Sequence, residues 1–261
     1  MRMMKLAVVT GAAQGLGLCV SALLAKRGYR LLLLDRQDPQ RALASLRAAG
    51  ATADALTGDV VEESFAAEVA GWIASRVGAA DVLVNNAGVS LIRPAEDTSA
   101  ADWRWVLDVN LLGPFLLSKA LGVQMLERRR GSIVNVASVA GLAGIGHRSA
   151  YNASKHGLIG LTQTLAAEWG ARGVRVNAVC PGWIKTEMDV KDQGSGAYSD
   201  ADITNRVPMA RFARPEDVAE AIAFLADAER SAFVNGVSLP VDGGWIADAS
   251  WESLRLKTRG A

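Results

Sequence analysis

The sequence predicts a doubly wound α/β domain built on a parallel sheet of about seven strands, and three observations predict it. Short apolar runs recur along the whole chain. Each is nearly continuous rather than alternating, as strands buried on both faces are. Longer segments with helical spacing or helix-end signals separate them, and that alternation suits parallel strands joined by helical crossovers.

The runs are Leu6–Val9, Arg30–Asp35, Ala53–Leu56, Asp81–Asn85, Ser132–Ala137, Val174–Cys180 and Val237–Val241. After the second run, Asp38 and Pro39 offer an N-cap and a first helical residue ahead of Arg41–Ala49. Leu158, Leu161, Leu165 and Trp169 recur at helical spacing. Pro215 opens a helix to about Ala226, with Glu216 and Asp217 at its positive end. The triplet Arg128-Arg129-Arg130 follows an apolar stretch and precedes Gly131, which reads as a helix C-terminus and not a phosphate patch. Asp189–Val207, with Gly194-Ser195-Gly196, is irregular and long for a loop in a compact domain, so 189–206 is the expected substrate loop.

The bulk numbers narrow the class. A length of 261 residues suits one large domain, 1–261, and no linker, repeat or low-complexity tract divides it. Half of the residues are hydrophobic and 21% are charged, as a packed soluble core requires. A formal charge of +1 gives no footprint for nucleic acid or an anionic membrane. No apolar stretch approaches the ~20 residues that span a bilayer. Met1 to Lys5 resembles a signal-peptide n-region, but the apolar run after it stops at Thr10-Gly11, too early for a leader. Cys19 and Cys180 are far apart in sequence, so a reduced, cytoplasmic setting is expected. Two histidines without an acidic cluster give no metal site.

Four signals carry chemistry. Thr10-Gly11-Ala12-Ala13-Gln14-Gly15-Leu16-Gly17 follows the first strand and opens a helix. Its glycines permit a tight turn and bring backbone N–H groups toward a pyrophosphate, although a plain strand–helix turn uses glycine as well. The spacing is G-x-x-x-G-x-G rather than the commoner G-x-G-x-x-G. Asp35 ends the second strand, 18 positions after Gly17, where an acid can accept from ribose hydroxyls or simply close a turn. Asn85-Asn86-Ala87-Gly88 ends the fourth strand as both a turn device and a close-approach point for a ligand. Ser138 ends the fifth, Tyr151 lies 13 positions later, and Lys155 four after that. On one helix, i and i+4 share a face, and an ammonium beside a phenol lowers its pKa from ~10 toward the range of acid/base work. A lone pair of this kind is also common on ordinary helices.

In order along the chain, these residues resemble the short-chain dehydrogenase/reductase family. The likeness runs from Lys5 to about Trp245 and takes in Thr10–Gly17, Asp59-Val60, Asn85–Gly88, Asn110 in D-V-N-L-L-G, Ser138, Tyr151–Lys155 in Y-N-A-S-K, Pro181–Thr186 in P-G-W-I-K-T and Val241–Gly244 in V-D-G-G. No catalytic position departs from the pattern. The resemblance implies a Rossmann domain that moves a hydride between a nicotinamide cofactor and a small secondary alcohol or ketone, and Asp35, whose carboxylate would repel a 2′-phosphate, favours NAD over NADP. By similarity Tyr151 is the acid/base, Lys155 lowers its pKa and bonds the nicotinamide ribose, and Ser138 holds the substrate oxygen. Asn110 would bend a helix and hold a relay water. Gly11, Gln14, Gly15, Leu16 and Gly17 would cradle the pyrophosphate, and Asp35 and Arg36 would meet the adenosine ribose. Asp59 and Val60 would flank the adenine, and Asn86, Ala87 and Gly88 the adenosine-side ribose. Pro181, Gly182, Ile184 and Thr186 would cover the nicotinamide.

Weaker expectations attach to other residues. His147 is as fit for a pocket wall as for an exposed loop, His156 is expected to face elsewhere, and Trp183 and Trp245, near the expected substrate side, suit either pocket wall or core, with core favoured. Residues 246–261 extend past the usual family end. Helices within about 99–129 and 151–172 resemble those that pair family members, and with Leu112, Phe115, Leu116 and Trp169 they predict a homotetramer. An NADPH-dependent 3-oxoacyl carrier-protein reductase is the nearest alternative. A non-catalytic dinucleotide sensor is the alternative of another class.

Overall fold

Each expected apolar run forms a strand, displaced by at most a residue or two at its ends. In the computed structural model, which describes residues 4–185, 198–251 and 253, the strands are β1 (Leu6–Thr10), β2 (Arg30–Asp35), β3 (Ala53–Thr57), β4 (Val82–Asn85), β5 (Gly131–Val136), β6 (Val174–Pro181) and β7 (Ser238–Val241). The helices are α1 (Gly15–Lys26), α2 (Gln40–Ala48), α3 (Glu63–Arg76), α4 (Ala100–Leu107), α5 (Gly113–Glu127), α6 (Ser149–Trp169), α7 (Asp200–Arg206) and α8 (Pro215–Ala226).

The strands form one parallel seven-stranded sheet in the order β3-β2-β1-β4-β5-β6-β7. Alternation within each run divides the side chains between two cores. Leu31 and Leu33 of β2 pack with Leu16, Val20 and Leu24 of α1 and Val218 and Ile222 of α8. Leu32 and Leu34 turn to the other face, against Phe65 and Ile73 of α3 and Leu117, Leu121 and Met125 of α5. All four leucines are fully buried, and each such side chain contributes about 1.5–3 kcal/mol. The sheet winds outward in both directions from β1 and β4. The crevice at their carboxyl ends is where open α/β sheets bind ligands.

Between α4 and α5 the helix widens into a π turn over Asp108–Leu112. The cause lies in the sequence. Pro114 has no N–H to give the carbonyl of Asn110 four residues back, so the α ladder breaks there. The run Ala100–Glu127 is long and apolar enough, by length and composition, to cross a membrane, which corrects the sequence expectation. Half of its most apolar window is nevertheless buried within the fold.

Other local readings change too. Pro39 is the N-cap of α2 rather than its first residue, and Asp38 Oδ1 accepts from Gln40 N at 3.0 Å. Part of the irregular stretch is helix: a capping box at α7 has Ser199 N donating to Asp202 Oδ2 at 2.8 Å and Asp202 N to Ser199 Oγ at 3.4 Å. The rest of the expected substrate loop, 189–197, lies outside the described residues, as do 252 and 254–261 of the C-terminal extension. Arg128 caps α5 as expected, and both Arg128 and Arg130 pair with Asp81, at 3.6 and 2.8 Å.

Candidate active site

A cleft of about 410 Å³ opens along the carboxyl ends of the strands. All described candidates from the sequence line it except Asn110, and Thr186 lies outside the described residues.

One end of the cleft is made by the turn between β1 and α1. Gly11 and Gly15 hold positive φ angles of 63° and 54°. A Cβ on Gly17 would lie 2.1 Å from the Gly11 carbonyl oxygen, so only glycine lets the helix start this close to the turn. Gln14 is the N-cap of α1, yet its side chain caps nothing. The first-turn N–H groups therefore face the cleft without a side-chain acceptor from the cap. Asn86 clamps the turn, with Nδ2 donating to the carbonyls of Thr10 at 2.9 Å and Gly11 at 3.2 Å. Thr10 Oγ1 accepts from the backbone N–H groups of Asn86 and Ala87, both at 2.9 Å. Asn86 thus acts as a turn device, one of the two roles its sequence allowed.

Asp35 at the end of β2 is fixed by two backbone donors, Ala13 N to Oδ2 and Gln37 N to Oδ1, both at 2.9 Å. Its neighbour Arg36 is exposed and reaches Asp59 Oδ2 at 3.9 Å. Val60 completes this end.

The other end is built from side chains that the fold brings together. Lys155, on the inner face of α6, is 4% exposed and its Nζ donates to the Val136 carbonyl at 2.8 Å. Burial lowers its pKa from 10.5 to about 8. Its Nζ stands 5.6 Å from the centre of the Tyr151 ring, one helical turn earlier. Ser138 begins a short 3-10 turn after β5, and its Oγ accepts from Ala140 N at 3.1 Å. Asn110 is fully buried in the π turn and works from behind the cleft. Its amide exchanges two hydrogen bonds with the Val89 backbone, at 2.8 and 3.0 Å, and donates to Ser154 Oγ at 3.1 Å. A Cβ on Gly88 would lie 3.2 Å from Asn110 Oδ1 and 3.7 Å from Lys155 Nζ. Gly88 therefore lies close to both Asn110 and Lys155.

Cys180 is buried nearby, and burial pushes its thiol up to about 11, which leaves it inert. Among the described residues no cluster of His, Cys, Asp and Glu could hold a metal ion.

Sequence reasoning missed several lining residues. His147 is exposed at φ 60°, while its neighbours Ile145 and Arg148 face the cleft. Arg148 Nη1 donates to Ser90 Oγ at 2.8 Å, and its guanidinium carbon is 5.9 Å from the centre of the Tyr151 ring. Trp183 lines the cleft, the less favoured of the two places its sequence allowed, with its ring 5.3 Å from that of Trp245.

A donor-lined turn at a helix start, an acid at the next strand end and a Tyr–Lys pair beside a serine define a nicotinamide-dependent oxidoreductase of the Rossmann type. Comparison with known proteins agrees. Residues 11–246 match the family model described as enoyl-(acyl carrier protein) reductase. D-threitol dehydrogenase of Mycolicibacterium smegmatis is 40% identical over 244 residues, 92% of each chain. An oxidoreductase of the short chain dehydrogenase/reductase family from Burkholderia thailandensis is 34% identical with a TM-score of 0.86, over 99% of this chain and 98% of its own. Actinorhodin polyketide ketoreductase with NADPH is 37% identical with a TM-score of 0.89, over 93% and 97%. The chain belongs to the short-chain dehydrogenase/reductase family.

Proposed function

We propose that this protein transfers a hydride between NAD(H) and a secondary alcohol or ketone, with Tyr151 as general acid/base. The observation that carries the reading is a buried lysine held 5.6 Å from the Tyr151 ring at the mouth of a dinucleotide-sized cleft. Similarity to a polyol dehydrogenase supports it.

The cleft suits the cofactor chemically. The glycine turn offers N–H donors for a pyrophosphate, and Asp35 offers an acceptor for ribose hydroxyls. The nicotinamide supplies the hydride in reduction and takes it up in oxidation. The chain supplies the rest. Lys155 is still mostly protonated at neutral pH, since burial brings it only to about 8, and its charge favours the Tyr151 phenolate. Tyr151 takes the hydroxyl proton in oxidation and returns one to the oxygen in reduction, a role worth about 10²–10⁴ in rate. Ser138 Oγ already accepts from Ala140, so its hydrogen is available to the substrate oxygen. Asn110 positions Val89 and Gly88 beside Lys155, and Ile184 and Trp183 would help exclude water.

NAD is the preferred cofactor in this reading. A 2′-phosphate carries about −1.5 to −2 charges and would meet the fixed Asp35 carboxylate. Arg36 leans toward Asp59, which leaves it less free to compensate. The same reading takes the whole chain as one catalytic domain in the cytoplasm, where Cys19 and Cys180 stay free. A homotetramer is favoured by Trp103, Trp105, Leu112, Phe115 and Val123, all exposed along one helical run. Leu116 and Trp169, also expected to add to that surface, are buried in the core.

The test is a turnover screen with both cofactors over polyols, hydroxy acids, aromatic alcohols and acyl thioesters. NAD-linked oxidation of a secondary alcohol is expected. Turnover of acyl thioesters with NADPH alone would replace this reading with the carrier-protein reductase. Cofactor binding with no turnover of any substrate would replace it with a sensor.

A further inference from the structure

We propose that Asn135 and Thr162 are positioning residues, whose hydrogen bond sets where α6 sits along the sheet and so holds Lys155 on the Val136 carbonyl beside Tyr151. The inference rests on the oxidoreductase reading for the reaction and on buried geometry for the positioning.

The helix is tied to β5 at two levels. Near the cleft, Lys155 Nζ donates to the Val136 carbonyl at 2.8 Å. Deeper in the fold, Asn135 Nδ2 donates to Thr162 Oγ1 at 2.9 Å. Asn135 is the strand residue just before Val136, and Thr162 lies seven residues after Lys155. Seven residues are close to two turns, which brings Thr162 back to the face that carries Lys155.

The second tie belongs to a one-way chain of buried donors. Asn85 Nδ2 donates to Asn135 Oδ1 at 2.8 Å and to Ser118 Oγ at 3.1 Å. Asn135 donates to Thr162, and Thr162 Oγ1 donates to the Leu158 carbonyl at 2.7 Å. All four side chains are buried, so none can turn to water instead. Leu158 and Leu165 bury the same helix, but apolar contact is non-directional and lets a helix slide. A hydrogen bond weakens steeply with misalignment and does not. The chain starts on β4, which also leads into Asn86 and Gly88, so one network fixes β4, β5, α5 and α6 together. A slide of α6 would stretch the Lys155 bond and let water reach its ammonium.

The titratable groups facing Lys155 are Tyr151 on α6 and Cys180 on β6, and Arg148, before α6, shares the Tyr151 ring. Cys180 stays a thiol up to about pH 11. Between about 8 and 10.5 the folded chain has lost the Lys155 proton that the unfolded chain keeps, so stability rises with pH there.

The test compares Thr162→Val, which keeps the shape and removes the hydroxyl, with Thr162→Ser, which keeps the hydroxyl. In Thr162→Val the pH of half-maximal alcohol oxidation should rise by about one unit, because a displaced ammonium favours the Tyr151 phenolate less, and Thr162→Ser should restore it. Urea melts at pH 7.5 and 10 read the same displacement without turnover. A solvated Lys155 returns toward 10.5, so Thr162→Val should lose much of the gain in stability between the two pH values. Ser118→Ala cuts the network away from α6 and should lower both melts equally. The double variant Asn135→Leu/Thr162→Val removes both partners, leaves no unpaired group between them, and should fold where Thr162→Val does not. It should show the same two changes. An unmodified pH profile together with a full gain in stability, in either folded variant, would overturn the positioning role. A change in Ser118→Ala as large as in Thr162→Val, or a double variant that does not fold, would reduce the bond to a support of the fold and overturn it too. Absence of turnover with every alcohol in the unmodified protein would instead remove the oxidoreductase reading, and the melts alone would then decide whether the bond places Lys155.

Discussion

The two ends of the cleft recognise their ligands by different means. At the β1–α1 end the chain presents backbone: positive-φ glycines, uncapped N–H groups, and an aspartate held by two more N–H groups. At the other end it presents side chains from β5, α6 and the π turn, and it pays for them with a buried ammonium and a fully buried amide. Backbone recognition needs only the right turn and tolerates changes in side chains that face away. Side-chain recognition depends on distant segments meeting, and it stores the unfavourable burial of a charge.

Three substitutions sharpen that contrast. Tyr151→Phe, at the side-chain end, should cut turnover by about 10²–10⁴ while cofactor affinity in a binding titration hardly moves. Near-normal turnover would show that the two ends do not divide chemistry from binding in this way.

Lys155 tests the stored burial. Its folded pKa, about 8, lies below the ordinary 10.5. Between those values the unfolded chain holds a proton that the folded chain has lost, so the cofactor-free protein gains stability as pH rises through that window. Below the window both states hold the proton, and the full burial cost remains. Urea melts at pH 7.5 and 10 should show the unmodified protein gaining on Lys155→Met by up to about 3 kcal/mol. A constant gap would mean that the site solvates the ammonium.

The smallest effect belongs to the backbone end. Asp35→Ser should reduce the preference for NAD over NADP by about tenfold, some 1.4 kcal/mol, by lifting the repulsion from a 2′-phosphate. Steady-state kinetics with both cofactors on one substrate measures it. An NADP preference in the unmodified protein would assign the choice to Arg36.

The same division explains what was legible in the sequence. The strands were, because burial on both faces leaves continuous apolar runs such as Arg30–Asp35 that no surface element shares. The glycine turn and Asp35 were, because backbone geometry restricts which residues can occupy them. Tyr151 and Lys155 became specific only alongside Asn110 and Ser138, since a Tyr–Lys pair alone is common on helices. Arg148 and Ile145 stayed hidden: nothing local distinguishes a loop arginine turned into a cleft from one turned outward. The capping box at Ser199 was readable, but glycines and polar residues before it masked the short helix.

The π turn at Asp108–Leu112 has a consequence for how this chain could be altered. A π turn takes about one residue more than an α turn, so everything after it is set back by about 100° around the helix axis. Here the lag allows Asn110 to turn inward while Leu117, Leu121 and Met125 still face the sheet. The information lies in the number of residues as much as in their kinds. A substitution in this segment leaves the phase intact, whereas an insertion or deletion of one residue would rotate α4 and α5 against each other and move either the amide or the leucine stripe off its partner.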